Sequence, residues 1–454
     1  MATAVVRPDE SSLQLGDARD VGVWMHDFIA ELYPIPRSIT GDGIRETLRR
    51  IGAWIPLAIH EVPSGAAVFD WTVPREWNIK DAYIKNARGE RVVDLQQSSL
   101  HVVSYSSPIH CTMSLTELRP HLHTLPEHPD WIPYRASYYA DSWGFCLSER
   151  QLATMTDQTY EVCIDASFKD GFLNYGECCI PGTSDDEVLI SCHACHPALC
   201  NDNLSGIAVA TALARHLLSL DSRRYTYRFL FLPTVIGPIT WLARNEERAS
   251  RIKHGLVLAC VGDAGKCTYK RSRRGNALID RAAAHVLKQS GQPHGLRDFT
   301  PYGYDERQYC SPGFDLPVGC LMRTPNGQFA EYHTSGDDLN FVKPEALADS
   351  LRRCEQIVEV LEHDAVFVNQ NPKCEPQLGR RGIYQGLRGA TSLPGTDVAL
   401  LWVLNFSDGK NSLLDIAERA GMPFGVIKQA ADTLRGCGLL QPLTSAPTDP
   451  PCVR

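Results

Sequence analysis

The sequence lacks any long apolar run. Its first twenty residues include charged side chains from Arg7 to Asp20 and no apolar stretch, which excludes a secretory signal. No later stretch reaches the ~18 consecutive apolar residues that a membrane helix needs. We therefore expect a cytoplasmic protein that does not enter a membrane.

An excess of positive charge is also missing. The 454 residues hold 45 Lys and Arg against 53 Asp and Glu, giving a formal net charge of −8. Sequence-independent phosphate binding requires a basic surface, so nucleic acid is not an expected partner. With 43% hydrophobic and 22% charged residues, the composition is typical of a soluble globular protein and does not indicate disorder.

Cysteine, by contrast, is abundant. In a reducing compartment the 16 cysteines are better interpreted as free thiols or metal ligands than as a disulfide framework. Many of them will serve as small buried hydrophobic residues.

The spacing of apolar residues predicts a mixed α/β protein. Two helices are expected within residues 21–59, and short alternating runs predict a small β-rich unit at 60–110. Strands and helices then alternate, which predicts a mostly parallel sheet flanked by helices, with ligands at the carboxyl ends of its strands. The predicted strands are 160–164, 187–192, 227–232, 255–261 and 316–322, and the predicted helices are 203–220, 236–248, 276–289 and 343–361.

Three domains follow from this pattern. We assign residues 21–59 and 111–370 to the α/β domain, 60–110 to an inserted small β-domain, and 378–446 to a winged helix-turn-helix domain. The last has predicted helices at 397–405, 413–420 and 423–436, with Gly421 at the turn. Because the chain is acidic, packing or protein contact is favoured over DNA binding for this domain.

One segment carries the pattern of a metal site. The apolar run 187–192 predicts a buried strand that places His193 and His196 on the following loop. Asp202 opens the next predicted helix, whose amino terminus favours a carboxylate. A catalytic zinc takes about three protein ligands, and Asp263 and His333 lie beyond other predicted elements as further candidates.

Three other interpretations of this segment remain. Cys192, Cys195 and His196 match the C-x-x-C-H pattern of haem attachment, although no export signal accompanies them. A structural zinc site could use the same residues with Cys200, but a second clear ligand pair is missing. His193 and His196 could also be ordinary hydrogen-bonded histidines. The neighbouring Asp-Asn-x-Ser-Gly string favours the catalytic site.

Several longer strings resemble the zinc aminopeptidase superfamily. The closest resemblance is to its aminopeptidase-like branch with an inserted small β-domain and a C-terminal winged helix, often encoded with polysaccharide or secondary-metabolite biosynthesis genes. It covers nearly the whole chain. The matching strings include Asp202-Asn-Leu-Ser-Gly206, Phe69-Asp-Trp-Thr-Val-Pro-Arg-Glu-Trp-Asn-Ile79, Cys195-His-Pro197 and Asp305-Glu-Arg-Gln-Tyr-Cys-Ser-Pro-Gly313.

The resemblance implies a set of zinc ligands. One zinc would be held by His196, Asp202 and Asp263, and Asp202 would bridge to a second zinc that His333 also binds. His193 is the alternative to His196, because it comes directly after the predicted strand.

The acidic pair after His333 is predicted to support the site. Metal-bound histidines usually donate their second ring N–H to a carboxylate or a carbonyl. Asp337 or Asp338 is therefore expected to orient the His333 ring.

A glutamate that the resemblance leads us to expect is missing. Hydrolytic members carry it after the strand corresponding to 227–232, and relatives read Pro-Glu-Thr-Ile-Gly where this chain reads Pro233-Thr-Val-Ile-Gly237. Thr234 thus occupies the catalytic position, but a neutral hydroxyl neither accepts a proton near pH 7 nor matches a carboxylate as a metal ligand. We expect one zinc, with a second site weak or empty.

Other residues are candidates for the missing roles. Asp305 and Glu306 are the acid/base candidates, and Arg307 would bind a substrate carboxylate through two hydrogen bonds. Tyr309 and Tyr332 are further substrate-binding candidates. The alternative is that this loop is a solvated turn.

The predicted function is a zinc-dependent reaction on a small aminoacyl or peptidyl amide or ester. Hydrolysis is the default of the family that the chain resembles. Acyl transfer or cyclisation competes with it, because glutaminyl cyclases look like mono-zinc members and need no activated water. A non-catalytic binding or regulatory protein on a degenerate peptidase fold is the alternative. The oligomeric state is open, with a homo-oligomer among the options.

Overall fold

The computed structural model describes residues 4–6, 18–156, 158–383 and 395–443. Residues 384–394 and 444–446 of the predicted winged-helix domain lie outside these ranges. The chain divides into two compact units, one formed by residues 1–277 and 294–352 and the other by 278–293 and 353–454. None of the described helices combines the length and the apolar content that crossing a bilayer requires.

The described residues form strands and helices with the following bounds. The strands are β1 Ala4–Val6, β2 Leu57–Pro63, β3 Ala67–Val68, β4 Trp71–Thr72, β5 Glu76–Lys85, β6 Arg91–Asp94, β7 Ile109–Ser114, β8 Leu122–His123, β9 Phe145–Cys146, β10 Thr159–Lys169, β11 Phe172–Ile180, β12 Glu187–His193, β13 Thr226–Leu232, β14 Ile252–Leu258, β15 Cys267–Lys270, β16 His294–Arg297, β17 Val318–Met322, β18 Val366–Asn369, β19 Asp408–Ser412 and β20 Leu440–Pro442. The α-helices are α1 Ala18–Leu32, α2 Asp42–Gly52, α3 Leu115–Leu118, α4 Glu149–Thr154, α5 Ser205–Leu218, α6 Ile236–Arg244, α7 Glu246–Ala249, α8 Leu278–Gln289, α9 Glu306–Tyr309, α10 Pro344–His363, α11 Gly395–Phe406, α12 Leu413–Ala420 and α13 Phe424–Gly436.

A nine-stranded mixed sheet forms the larger unit's centre. Its order is β1-β2-β11-β13-β12-β14-β17-β15-β16, and the four central strands β13, β12, β14 and β17 run parallel. All seven residues of β12 are buried, which explains why Val188, Leu189 and Ile190 follow one another instead of alternating with polar residues. The predicted α/β class, with a mostly parallel core flanked by helices, is confirmed.

Some predicted elements are wrong in detail. The predicted strand 160–164 lies within β10, which pairs with β5 and β7 in a separate antiparallel sheet rather than in the main one. The predicted helix 236–248 is two helices, because Asn245 adopts a non-helical conformation between α6 and α7. Periodicity identifies a strand but does not identify its partner.

The separate sheet has four strands in the order β6-β5-β10-β7. The residues 60–110 assigned to a small β-domain supply β5 and β6, whereas β10 comes from 159–169. Trp77, Val162 and Phe145 belong to the apolar core of this region. The Trp77 indole N–H donates to the Ser106 carbonyl, so the ring is buried without an unsatisfied donor.

The smaller unit contains the three helices α11, α12 and α13 and the three-stranded sheet β19-β18-β20. A capping box starts α12, in which Ser412 and Asp415 each bind the other's main chain, and Gly421 ends the helix in a left-handed conformation (φ 66°). On α13, Lys428 and Arg435 both pair with Asp432. These cations are therefore partly neutralised on their own helix.

Candidate metal centre

The carboxyl ends of the central parallel strands bring the polar residues of the site together. His193 is the last residue of β12, and the chain continues through a loop to a π-helical turn, Cys200–Leu204, that contains Asp202. Thr234 follows β13, and Cys260 follows β14. This is the edge at which parallel sheets place their ligands.

Three histidines surround the carboxylate of Asp202. His193 Nε2 lies 2.9 Å from Asp202 Oδ1, and His333 Nε2 lies 3.0 Å from Asp202 Oδ2. His196 Nδ1 is 3.7 Å from Asp202 Oδ2 and 3.1 Å from His193 Nε2. We call these four residues the His/Asp cluster.

The spacing of these atoms fits a bound zinc ion. Ligand atoms about 2.0–2.1 Å from a tetrahedral zinc lie about 3.3 Å from one another, and the four separations scatter around that value. Ligand atoms of His193, His196 and Asp202 all lie within 4.8 Å of one another. One proton on His193 Nε2 cannot donate well to both Asp202 and His196, whereas a cation between them satisfies all three.

The electrostatic environment prepares the cluster for a cation. Burial, together with the charges of His193 and His333, lowers the pKa of His196 to about 3, so its ring is neutral and has a free lone pair. Burial alone would raise the pKa of Asp202, but the three histidines hold it well below its usual range. A neutral imidazole and an ionised carboxylate are the ligand forms that zinc requires.

The main chain around Asp202 is fixed by a second aspartate. Asp337 accepts hydrogen bonds from the main-chain N–H groups of Asn201 at 2.5 Å and Asp202 at 2.9 Å. The prediction that Asp337 or Asp338 orients the His333 ring is not what the structure shows, because Asp338 instead accepts from the main chain of Asn340. Asp337 positions the cluster through the backbone of Asp202.

A buried arginine holds the loop that carries His196. Arg37 is 1% exposed; its Nε donates to the carbonyl of His196 at 3.0 Å and its terminal nitrogens donate to the carbonyl of Leu32. Arg37 thus ties the end of α1 to the metal-binding loop.

We predict that Gly206→Ala weakens zinc binding. An added Cβ would lie 2.5 Å from both Asn203 Oδ1 and the carbonyl of Leu258, so the Asn203 side chain must shift. That shift disturbs its contact with His193, because the Asn203 side-chain nitrogen lies 3.3 Å from the His193 carbonyl. Loss of such a supporting contact costs about 10–100-fold in metal affinity. Competition with a chromogenic chelator measures the change. Gly436→Ala is the control, since its Cβ would meet no atom within 4 Å, and equal affinities for both variants would contradict the prediction.

Asp263 is not brought into the cluster. Its carboxylate accepts hydrogen bonds from Thr324 Oγ1 at 2.6 Å and from the Gly265 N–H at 2.7 Å. It also accepts from the Asn201 side chain at 3.0 Å. Asp263 therefore supports the loop of Asn201 instead of serving as the ligand that the resemblance implied, and His193 joins the cluster together with His196.

Aromatic rings line the cluster. Tyr304 stacks on His193 with ring centroids 5.5 Å apart, and Tyr332 stacks on His333 at 4.0 Å. Tyr134 meets both His196 and His333 edge to face. Tyr332, a predicted substrate-binding residue, thus lies against the cluster.

The acid/base candidates lie side by side beneath Tyr304. Asp305 is 1% exposed and Glu306 is 0% exposed, which contradicts the alternative of a solvated turn. Thr234 Oγ1 donates to Asp305 Oδ1 at 2.7 Å, and Lys270 Nζ donates to Glu306 Oε1 at 2.7 Å. Burial raises the pKa of Asp305 to about 6.

The two remaining candidates differ in position. Arg307 is half-buried and its charge acts on Asp305, so it lies near the site. Tyr309 is fully buried, and its hydroxyl lies 2.9 Å from Ser191 Oγ, within the core. Because its hydroxyl is already bound to Ser191, Tyr309 does not fit the substrate-binding role assigned to it.

Sequence reasoning missed Tyr134, Arg37 and Cys260. The Cys260 thiol lies 2.9 Å from the Tyr304 hydroxyl, and its place near the end of the predicted strand 255–261 was a usable signal. Tyr134 and Arg37 are distant in sequence and belong to no metal-ligand pattern. They reach the site only through the fold.

Comparison with known families places the chain. The model of a family described as a domain of unknown function, DUF4910, matches residues 26–364, well over half of the sequence. The chain belongs to this DUF4910 family. A winged helix-turn-helix model matches residues 365–442, which agrees with the helices of the smaller unit.

Relatives connect this DUF4910 member to aminopeptidase-like proteins. A Clostridium acetobutylicum protein, provisionally named a polysaccharide biosynthesis protein with an aminopeptidase-like domain, is 50% identical over 433 residues, covering 95% of this chain and 99% of that protein. A crystal structure from Clostridium acetobutylicum, provisionally described as a peptidase, has a TM-score of 0.89 and 50% identity, covering 94% of this chain and 97% of that chain.

More distant structures share the fold. BSAP, a zinc aminopeptidase from Bacillus subtilis, has a TM-score of 0.55 and 12% identity over 75% of this chain and 94% of that chain. At this identity the likeness shows the fold alone. The predicted resemblance to the zinc aminopeptidase-like family is confirmed.

Proposed function

We propose that the protein is a zinc-dependent enzyme that acts on the acyl bond of a small aminoacyl or peptidyl amide or ester. The observation that supports this most strongly is the His/Asp cluster, in which His193, His196, His333 and Asp202 converge at tetrahedral spacing. A buried carboxylate is costly unless it is paired, but one partner is enough to pair it. Packing alone therefore does not require three histidines around Asp202. The aminopeptidase fold agrees with this class of substrate.

The position of each residue indicates its role in the proposed reaction. His193, His196 and Asp202 would hold zinc. His333, which lies beside Asp202 Oδ2 rather than Oδ1, would complete the site. Bound zinc supplies a Lewis acid that polarises the substrate carbonyl. Tyr332 and Tyr134 line the approach to the cluster and exclude water from one side, which strengthens electrostatic interactions within it.

Hydrolysis and transfer of the acyl group remain the two routes. Thr234 stands where the resemblance leads us to expect a glutamate, and its hydroxyl donates to Asp305 rather than facing a water molecule as a base. Cyclisation, in which the substrate's own amine attacks, would satisfy the same site. The assignment to polysaccharide or secondary-metabolite biosynthesis rests on the relative's name and on the family resemblance, and is part of the proposal.

Zinc stoichiometry tests this function together with a substrate panel. We expect one zinc per chain by elemental analysis, and turnover of at least one aminoacyl p-nitroanilide or N-terminal glutaminyl peptide. Asp263→Ala should still bind one zinc per chain at saturating metal, because Asp263 binds Thr324 and Gly265 instead of the cluster. Loss of its contact to Asn201 should only weaken the affinity. Two zinc ions per chain, or loss of zinc in this variant, would contradict the ligand set.

The replacement of glutamate by Thr234 also favours a second candidate, a binding or regulatory protein without catalysis. On that reading the winged helix would be the contact module. A protein that binds no zinc and turns over no member of the panel would support it over the enzyme.

A further inference from the structure

Asp305 is a buried carboxylate with one oxygen left over. Thr234 Oγ1 donates to its Oδ1 at 2.7 Å, and the residue is 1% exposed. Among the described residues, no group hydrogen-bonds Oδ2. A buried carboxylate oxygen without a donor is costly, and such an atom in a native protein calls for an explanation.

The position of Asp305 links it to the His/Asp cluster. Its neighbour Tyr304 stacks on His193 at 5.5 Å, and Thr234 comes two residues after Leu232, which pairs with His193 in the sheet. The main-chain N–H of Thr234 faces the thiol of Cys195, which lies two residues after His193. The pair Thr234 and Asp305 is therefore attached to the same strand ends as the cluster.

We propose that Asp305 is the general base and acid of the reaction, acting through Oδ2 and replacing the glutamate that Thr234 has displaced. This assignment rests on the proposed function. The Thr234 hydroxyl fixes the carboxylate in one orientation by donating to Oδ1, and so leaves Oδ2 to the reacting groups. Thr234 is thus a positioning residue.

Glu306, the other candidate, is bound differently. It too has an oxygen without a partner, but its second oxygen accepts from the Lys270 ammonium at 2.7 Å, and both side chains are buried. That oxygen is therefore held in a buried ion pair. The donor to Asp305 is a neutral hydroxyl rather than an ammonium.

The proton then follows a closed path. As the nucleophile, water or the substrate's own amine, forms its bond to the acyl carbon, it gives a proton to Asp305 Oδ2 and the carbonyl π pair moves to oxygen. When that pair returns, the bond from the acyl carbon to the leaving nitrogen or oxygen breaks, and Asp305 gives the proton to the leaving group. Asp305 ends ionised, as it began.

Asp305→Asn tests this role in the zinc-loaded protein. Loss of a general base costs about 10²–10⁴-fold in rate, and we expect a fall of that size in kcat for the panel substrate, with KM and zinc content unchanged. An aminoacyl hydroxamate, whose N–H or O–H would face Oδ2, should also bind at least tenfold more weakly. Asp298→Asn is the control, because Asp298 lies in the same segment but its side chain is 88% exposed.

A second variant separates the chemical role from a structural one. Thr234→Glu in the Asp305→Asn background supplies a carboxylate next to the mutated position and should restore part of kcat. If Asp305→Asn keeps its kcat, or changes only in KM, the assignment is overturned. The proposed function as a zinc enzyme is not affected by that result. Wild-type protein that binds zinc but neither turns over the panel nor binds the hydroxamate overturns the proposed function and this assignment with it.

Discussion

Asp202→Ala is expected to lose zinc affinity by at least 100-fold and to abolish turnover. Asp202 supplies the carboxylate of the His/Asp cluster, and its two oxygens face His193 and His333 at 2.9 and 3.0 Å. Removing an outer contact of a metal site already costs about 10–100-fold, so loss of a direct ligand should exceed that range. Zinc content after dialysis and calorimetric titration of the metal-free protein measure the effect.

A matched control for this substitution lies at the opposite end of the same strand. Asp186 precedes β12, and its side chain is 49% exposed and 3.8 Å from Lys253. Asp186→Ala should therefore bind zinc like the wild type. If Asp202→Ala also retains zinc, while its circular dichroism matches the wild type, the cluster is not the metal site.

Arg228→Met should destabilise the larger unit by about 3–5 kcal/mol. Arg228 lies in the middle of β13 with its side chain 3% exposed, and its Nε donates to Glu187 at 2.6 Å. It also pairs with Glu177, which accepts from the Trp241 indole at 3.1 Å. Removing the cation leaves two carboxylates confined without a counter-charge, which is the situation that carries this cost.

Chemical denaturation measures this loss, with an exposed ion pair as the reference. Arg251 is 53% exposed and lies 4.0 Å from Asp185, which is itself 93% exposed. Pairs of this kind contribute about 0–1 kcal/mol, so Arg251→Met should leave the midpoint almost unchanged. Similar shifts for the two variants would mean that Arg228 is not the centre of a buried network.

Much of the fold could be predicted because the residue pattern of each strand indicates whether the strand is buried. β12 and β13 are nearly continuous apolar runs, as strands covered on both faces must be, and α12 carries its cap at Ser412 and its stop at Gly421. The sequence pattern did not show which sheet each strand joins. β10 has the pattern of a strand. Its pairing with β5 and β7 instead of with the main sheet depends on contacts between residues 45 to 93 positions apart, from Thr159 with Ser114 to Lys169 with Glu76.

The metal centre shows the same division. Strand ends and residue types predicted His196, Asp202 and His333 as candidate ligands, with His193 as the alternative, and the structure brings these four residues together. Asp263 was wrong because its hydrogen-bond donor Thr324 lies 61 positions away in the sequence, and no local pattern reveals that the carboxylate is already occupied. A motif shows which side chains can bind a metal, but the fold decides which of them are free to do so.

The turn that carries His333 also carries Asp337. Its carboxylate fixes the main chain at Asp202, a residue 131 positions away from His333 in the sequence. The distance between these two ligands is thus set when the chain folds, before any cation arrives. Zinc uptake by such a preorganised site requires little loss of conformational entropy, so the metal-free protein should stay folded, unlike small zinc domains in which metal binding and folding are a single event.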